Sequence, residues 1–575
     1  MLRSLCCGLL AFACLFSMGN SDLELLRDVR KPEDLALVQK YYDAHSTLPP
    51  LLSPGLVAAL PAALPAALPA ARPVASLSAP AEYARPSYSY SAGSGFGSSS
   101  SSSSSFGSGS GSGYVDVAAS DDIARHILTF AQNLSNQINS NYRKTTVFSP
   151  LSIMSALALL LLGAKGRSYT ELVAVFGQSN MVKLHEQFGL MLQDVQQPTR
   201  QTTSPHRQLD AWHSNSIRRS LRTYPRNRNA PQEVHVANGL FLQYGYSLNP
   251  DYRQAIIQIY KSDLQTLDFQ RSPAVAKYNI NSWVEQHTKG KIENILTDDL
   301  PQDTRIIMAN ALYFKAMWEI DFIGGATKVE DFYPNGEGTQ PVLPVEMMVG
   351  AGAFPYYEEP QLNCRIIGLP YHGNLTTMYV IQPMRSSVTE LAQLQQRLNA
   401  DAIEHMISQM SRRSIIIAFP KLHITESFKL HSLLERMGIG GIFNPVQSDL
   451  SLIGTNQPAA AAPAAATDRS QADGLASLRN LVAQRQAAMS IQGPTPPSDL
   501  IVSDILHKVD FVVNEQGTEA AAASAAILKK SGPEVVFRAE TPFMLLVRHD
   551  LTKLPLFYGL INEPPTVKAS SERKN

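Results

Sequence analysis

The chain of 575 residues carries 49 Lys plus Arg against 49 Asp plus Glu, so no net field draws it to nucleic acid, an anionic membrane or a basic substrate. Apolar residues reach 44%, as in globular proteins, while charged residues at 17% fall below the usual share and point to uncharged low-complexity stretches.

Residues 1–21 have the layout of a secretory signal: Arg3, an apolar run from Leu5 to Phe16, then Ser17, Gly19, Asn20 and Ser21. The run is shorter than the roughly 20 residues a bilayer span needs, so cleavage and secretion are expected. Cys6, Cys7 and Cys14 leave with it, and Cys364 stands alone in the mature chain. Stability must then come from a large core rather than from intramolecular disulfides.

Residues 22–118 read as a flexible arm. Weak helical periodicity around Leu23 to Tyr42 gives way to a Leu-Pro-Ala-Ala repeat from Leu60 to Arg72, then to Ser and Gly from Ser91 to Gly113. Neither composition buries enough apolar surface to order itself. Helix periodicity starts at Asp121, with Ser120 or Asp121 as cap and Ile123, Ile127, Leu128, Phe130 and Leu134 on one face. One domain is expected over 119–565, followed by a tail over 566–575. Two stretches read as surface insertions: an Arg-rich one at 197–232 and an Ala, Pro, Ser and Gln stretch at 454–498. The second is expected to be disordered, with at most a short helix around Leu475 to Ala488, and removable at little cost.

Between them, strand-like runs (Val234 to Leu242, Thr304 to Phe314, Thr376 to Gln382, Ser414 to Pro420, Pro542 to Val547) alternate irregularly with amphipathic helices (Ser152 to Ala164, Tyr169 to Phe176, Ala274 to Thr288). This lacks the regular spacing of a doubly wound fold and reads as α+β with a large mixed sheet. No phosphate-binding glycine loop, metal-spaced Cys and His set or Gly-x-Ser-x-Gly elbow occurs, so catalysis by this chain has little support.

The segment Gly517 to Ala526 is alanine-rich, a composition suited to a helix, yet it lies between a strand-like run, Phe511 to Asn514, and a Lys-Lys-Ser-Gly-Pro turn. On composition it fits a plain surface helix or linker as well as an exposed loop. Its alternate residues Thr518, Ala520, Ala522, Ser524 and Ala526 are all small and uncharged, as a loop that becomes a central strand would need. Gly517 supplies backbone freedom.

Ordered motifs run the length of the domain: Phe148-Ser149-Pro150-Leu151-Ser152, Asn279 to Val284, Asn310 to Trp318, Val345 to Met348, Leu369 to Tyr371, Phe419-Pro420-Lys421, Asp504 to Lys508, Val513 to Ala523, Pro542-Phe543 and Leu556 to Gly559. In this order they resemble the serpin family. The resemblance implies the serpin fold, large mixed sheets with surrounding helices and an exposed reactive-centre loop, and a protein that is not an enzyme. It implies inhibition of a serine protease by cleavage of the loop and its insertion as a strand. The hinge would be Glu515, Gly517, Thr518, Glu519, Ala520, Ala521, Ala522 and Ala523. Ser149, Ser152, Asn310 and His507 match the polar cluster, or shutter, beneath the central strands, and His507 taken singly reads as a satisfied core histidine. Trp318 matches the tryptophan at the breach where insertion begins, a position equally compatible with core packing.

Counting from the hinge places the residue before the cut at Ser531, and counting back from Pro533-Glu534-Val535 places it at Lys529. A trypsin-like pocket favours Lys530-Ser531, with Lys529-Lys530 and Ser531-Gly532 as alternatives. The expected partner is a trypsin-like extracellular protease, in a clotting or immune cascade as the family suggests, and a monomer is expected. The runner-up is a non-inhibitory serpin acting as carrier, storage protein or chaperone, and a third reading makes the Ser/Gly arm the working part of a surface-attached protein.

Arg200, Arg207, Arg218, Arg219, Arg222, Arg226 and Arg228, set against Asp210 alone, form a candidate site for a glycosaminoglycan or other sulfated polysaccharide, which would act as activator. A solvated, protease-sensitive loop fits the same residues. No other cofactor and no metal is expected. Asn133-Leu134-Ser135 and Asn374-Leu375-Thr376 are glycosylation sequons. Cys364 reads as a semi-buried apolar residue, with an intermolecular bridge as the alternative.

Overall fold

The computed structural model describes residues 115–139, 144–178, 180–196, 209–213, 232–373, 375–456, 471–490, 499–518 and 533–567. Among the described residues the domain opens with α1 (Val117–Ile138), β1 (Thr146–Phe148), α2 (Pro150–Gly163), α3 (Gly166–Phe176), α4 (Met181–Gln196), β2 (Gln232–Gln243), β3 (Ser247–Leu248), α5 (Pro250–Tyr260) and β4 (Asp263–Leu267). The middle holds α6 (Pro273–His287), β5 (Ile306–Met317), β6 (Lys328–Phe332), β7 (Leu343–Glu359), β8 (Cys364–Pro370), β9 (Thr376–Pro383), α7 (Val388–Arg397), α8 (Ala400–Gln409), β10 (Ser411–Pro420), β11 (Leu422–Lys429) and α9 (His431–Arg436). The chain continues through β12 (Gly454–Thr455), α10 (Gln471–Ser490), β13 (Val502–Val513), β14 (Gly517–Thr518), β15 (Val535–Arg538), β16 (Phe543–His549) and β17 (Leu554–Ile561).

Two mixed sheets result. One has nine strands in the order β1-β17-β16-β9-β8-β7-β10-β15, with β6 on β7; the other has six in the order β11-β13-β5-β2-β4, with β14 on β5. In β5 the two-residue period is plain: Ile306, Met308, Leu312 and Phe314 enter the main core, while Ile307, Ala309 and Ala311 enter a second core under α6. Both faces of β5 are therefore dry. The helix α2 is apolar all round and buried along its whole length, touching β5 and β2 of one sheet and β17 of the other. Ser149 caps it, its hydroxyl accepting from the Ser152 amide at 3.2 Å, and Pro150 occupies the first turn, where no amide is needed.

Three expectations need correction. The first helix starts at Val117, not Asp121: Asp116 is the cap, accepting from the Ala119 amide at 3.0 Å, and Ser120 is buried inside the helix. Periodicity located the apolar face but not the cap, which the preceding Ser and Gly run disguised.

The stretch 454–498 holds a helix longer than the short one allowed. In α10 Leu478 and Leu481 are fully buried and Arg485 is nearly so, and the helix lies along α5. Leu478, Leu481 and Arg485 fall at helical spacing; Ala and Gln between them diluted the signal.

The stretch 197–232 is not surface throughout. Trp212 and His213 dock in the core, where the buried Trp212 stacks on His213, meets the Tyr379 ring edge-on and lies under the Arg412 guanidinium. Below it the buried Asp550 accepts from Thr377 at 2.6 Å, Tyr379 at 2.8 Å and Arg548 at 2.9 Å. Burial pushes the Asp550 carboxyl up, but His213, Arg548 and Thr377 outweigh it and hold the group below its usual range. Arg548 also reaches Glu404 at 2.7 Å, so its buried charge is compensated.

Candidate functional site

Strand β5 is the axis of the site. On one side it pairs with β2 along its length. On the other it pairs with β13 in parallel only from Ile306 to Ala311, and with β14 only where Gly517 and Thr518 face Met317 and Ala316. From Leu312 to Lys315 neither ladder continues. A cleft lies there, lined by Leu312, Tyr313 and Phe314 from β5, Asp510 and Val512 from β13, and Lys291 and Ile292 after α6. The seam is therefore closed at one end, parted in the middle and occupied by Gly517 and Thr518 at the other.

The closed end is held by the expected shutter residues, which the fold brings together. Asn310 on β5 lies opposite His507 on β13 and Asn238 on β2. The His507 Nε2 accepts from the Ser149 amide at 3.0 Å, so Nδ1 carries the ring proton and donates to Asn310 Oδ1 at 2.7 Å. The Ser152 hydroxyl donates to the same oxygen at 2.5 Å, and Asn310 Nδ2 donates to the Ser152 carbonyl and to Asn238 Oδ1. Burial pushes the imidazole down to about 3, so it is neutral at physiological pH. One amide thus ties three strands to the start of α2. Asn238 was not singled out in the sequence, although it lies opposite Asn310 in the β2 ladder.

At the occupied end Trp318 stacks on Tyr371, with centroids 4.4 Å apart, and its Nε1 donates to the Asn514 carbonyl at 2.9 Å. The Trp318 and Phe322 amides donate to the carbonyls of Gln516 and Glu515. The Glu515 carboxylate meets Lys421 at 2.8 Å and the Thr327 hydroxyl at 2.6 Å. Burial pushes this carboxyl up, but those two bonds outweigh it and keep it below its usual range. Lys421 belongs to the Phe419-Pro420-Lys421 motif, which by itself gives it no role, and Thr327 carries no sequence signal.

Glu519 to Ala523, the three bonds considered between Lys529 and Gly532, the seven arginines and Asn374 lie outside the described residues. Asn133 is exposed on α1, whereas Ser135 of its sequon is buried and accepts from Gln395 at 3.0 Å. Cys364 is fully enclosed beside Met406, and burial pushes its thiol up to about 12. No group of His, Cys, Asp and Glu among the described residues is arranged to hold a metal ion.

The profile of the family described as serpin (serine protease inhibitor) matches residues 125–564. The chain belongs to the serpin family. This serpin is 59% identical over 452 residues to Serine protease inhibitor 28Dc of Drosophila melanogaster, covering 79% of its own length and 81% of the relative. It is 28% identical over 440 residues to Leukocyte elastase inhibitor of Xenopus tropicalis, covering 76% and 97%. Solved structures sharing the fold include human glycosylated kallistatin, at TM-score 0.58 and 23% identity over 78% of this chain and 99% of that one. Uncleaved ovalbumin aligns at TM-score 0.57 and 23% identity, over 77% and 100%.

Proposed function

We propose that this serpin is a secreted inhibitor of a trypsin-like serine protease, acting as a cleavable bait whose loop then becomes a strand. The observation that carries the reading is the half-parted seam, with Gly517 and Thr518 already laddered onto β5 ahead of the gap. A strand entering there would lie along Leu312 to Lys315, where the ladders to β13 and β14 do not run. The family description and the name of the Drosophila relative support protease inhibition.

In this scheme the protease serine attacks the Lys530 carbonyl, the Lys530-Ser531 bond breaks, the Ser531 nitrogen leaves as an amine with the proton relayed by the protease histidine, and an acyl ester remains. Insertion of some fifteen residues at about 3.3 Å each would carry the tethered protease about 50 Å before deacylation. Small uncharged residues at alternate loop positions keep the desolvation cost of insertion low.

Incubation with trypsin should give a complex that survives boiling in detergent. Its loss in Lys530→Ala combined with Lys529→Ala, and a denatured C-terminal fragment from the parent protein beginning at Ser531, would support the assignment. A stable complex in the double variant with a fragment beginning at Gly532 would refute the trypsin-like specificity. Absence of any covalent complex with trypsin-like or elastase-like proteases would refute inhibition by trapping.

A further inference from the structure

Strand insertion requires β5, β2 and β4 to move away from β13 and β11. The helix α5 leads into β4 and is assigned to the moving side with it, although it also packs on α4 and on α2, where the Tyr252 hydroxyl donates to the Leu159 carbonyl at 3.0 Å. The helix α2, whose cap Ser149 bonds His507 of β13 and which packs on β17 of the other sheet, is assigned to the fixed side, and its bond from Ser152 to Asn310 of β5 must break when β5 moves. The chain of α10 runs on into β13.

Against α5, Asn480 and Gln484 donate to the Asp251 carboxylate at 3.2 and 3.0 Å, and Asn249 donates to Gln484. Gly474 lets the two helices touch: a Cβ there would stand 2.6 Å from the Gln258 Cβ. Against α2, the Arg485 guanidinium donates to the carbonyls of Ala164 at 2.9 Å, Leu161 at 2.8 Å and Leu162 at 2.9 Å, and lies 4.4 Å from the Tyr169 ring centroid on α3. The carbonyl end of a helix is its negative pole and lacks intrahelical donors, so a cation forked onto it is well matched and geometrically fixed.

We propose that α10 is a brake on the parting of β5 from β13, with Arg485 as the positioning residue that locks α5 to the fixed α2. The inference rests on the strand-insertion reading above. A shift of α5 with β4 must slide α10 along α5 or pull Arg485 off the α2 carbonyls, and in either case buried donors or acceptors lose partners before new ones form. The brake therefore slows insertion in the uncleaved protein while leaving the ladder of the inserted strand untouched.

The test uses the full-length protein and follows two quantities at 37 °C: the capacity to form the detergent-stable trypsin complex, and the appearance of a heat-resistant, non-inhibitory form. Arg485→Ala should accelerate that conversion about tenfold, equivalent to about 1.4 kcal/mol of barrier. Arg485→Lys, which keeps the charge but not the fork, should fall between. Gly474→Leu, which prises α10 from α5 without touching α2, should accelerate it likewise and decides the matter if Arg485→Ala does not fold. Conversion at the parental rate in the folded variants would overturn the brake, as would activity lost only to a heat-sensitive unfolded form. If the parent protein itself forms no complex, the strand-insertion reading falls and the brake with it.

Discussion

Lowering the pH from 7 to 5 should destabilise the native protein through His507 and His185. His507 has no site for a second proton, because Nε2 accepts from Ser149 and Nδ1 already donates to Asn310. His185 on α4 is equally enclosed, with Nδ1 2.5 Å from the Tyr260 hydroxyl. Burial pushes both down to about 3, for His185 with help from the Arg485 charge, from an ordinary value of 6.5. The unfolded chain then takes up protons from pH 6.5 downward while the native state does not until about 3. Stability is complete above pH 6.5 and falls with acid at up to roughly 1.4 kcal/mol per pH unit for each histidine. Between pH 7 and 5 each costs about 2 kcal/mol, and the pair about 4 kcal/mol. Asp550 and Glu515, held low, add their loss mainly below about pH 5, as the unfolded carboxylates begin to take up protons. Urea unfolding at pH 7, 6 and 5 measures the effect; His507→Gln or His185→Gln, each neutral at every pH, should remove about half of the pH-dependent loss. A flat stability between pH 7 and 5, or an unchanged slope in the double variant, would refute the reasoning.

Trp212→Ala should cost about 3–5 kcal/mol in the same assay, although the residue sits in a stretch that reads as surface; a change below 1 kcal/mol would mean Trp212 is not seated on Tyr379 and Arg412. Lys421→Ala leaves the half-buried Glu515 with the Thr327 hydroxyl and without its cation, so about 1–2 kcal/mol should be lost and hinge proteolysis should quicken; unchanged proteolysis would separate the ion pair from hinge control. Cys364 should resist thiol reagents at pH 8 in the native protein and react in urea, because its enclosed thiol stays protonated; rapid native labelling would contradict the burial.

The fold was legible where composition and periodicity agree. The run Leu157 to Leu162 was legible as part of a helix, expected to be amphipathic over Ser152 to Ala164 but buried all round, and the alternation in β5 follows from residues that are apolar at nearly every position because both faces are covered. That Ser149, Ser152, Asn310 and His507 meet was legible only through the family motifs, since they stand on three sequence segments that nothing local connects. What stayed hidden was contact between segments of weak composition. Arg485 looked like one more polar residue in an Ala and Gln stretch, and Trp212 like a stray aromatic among arginines. Both owe their burial to partners distant in the chain, the α2 carbonyls and the Tyr379 ring. Thr327 and Asn238 were missed for the same reason: a hydroxyl or an amide acquires its role only from what the ladder sets opposite it.

The position of the last two strands bears on how the protein is made. In the nine-stranded sheet β16 and β17 lie between β1 and β9, with Thr146 laddered to Leu560 and Ile381 to Met544. During synthesis β1 and β9 are complete long before residues 543–561 leave the ribosome, and until then each offers an open apolar edge with nothing to pair. The sheet cannot close outward from a finished N-terminal half; it waits for the end of the chain to be threaded into its middle. A nascent chain stalled before residue 543 would therefore be a species for chaperones to hold rather than a smaller folded domain.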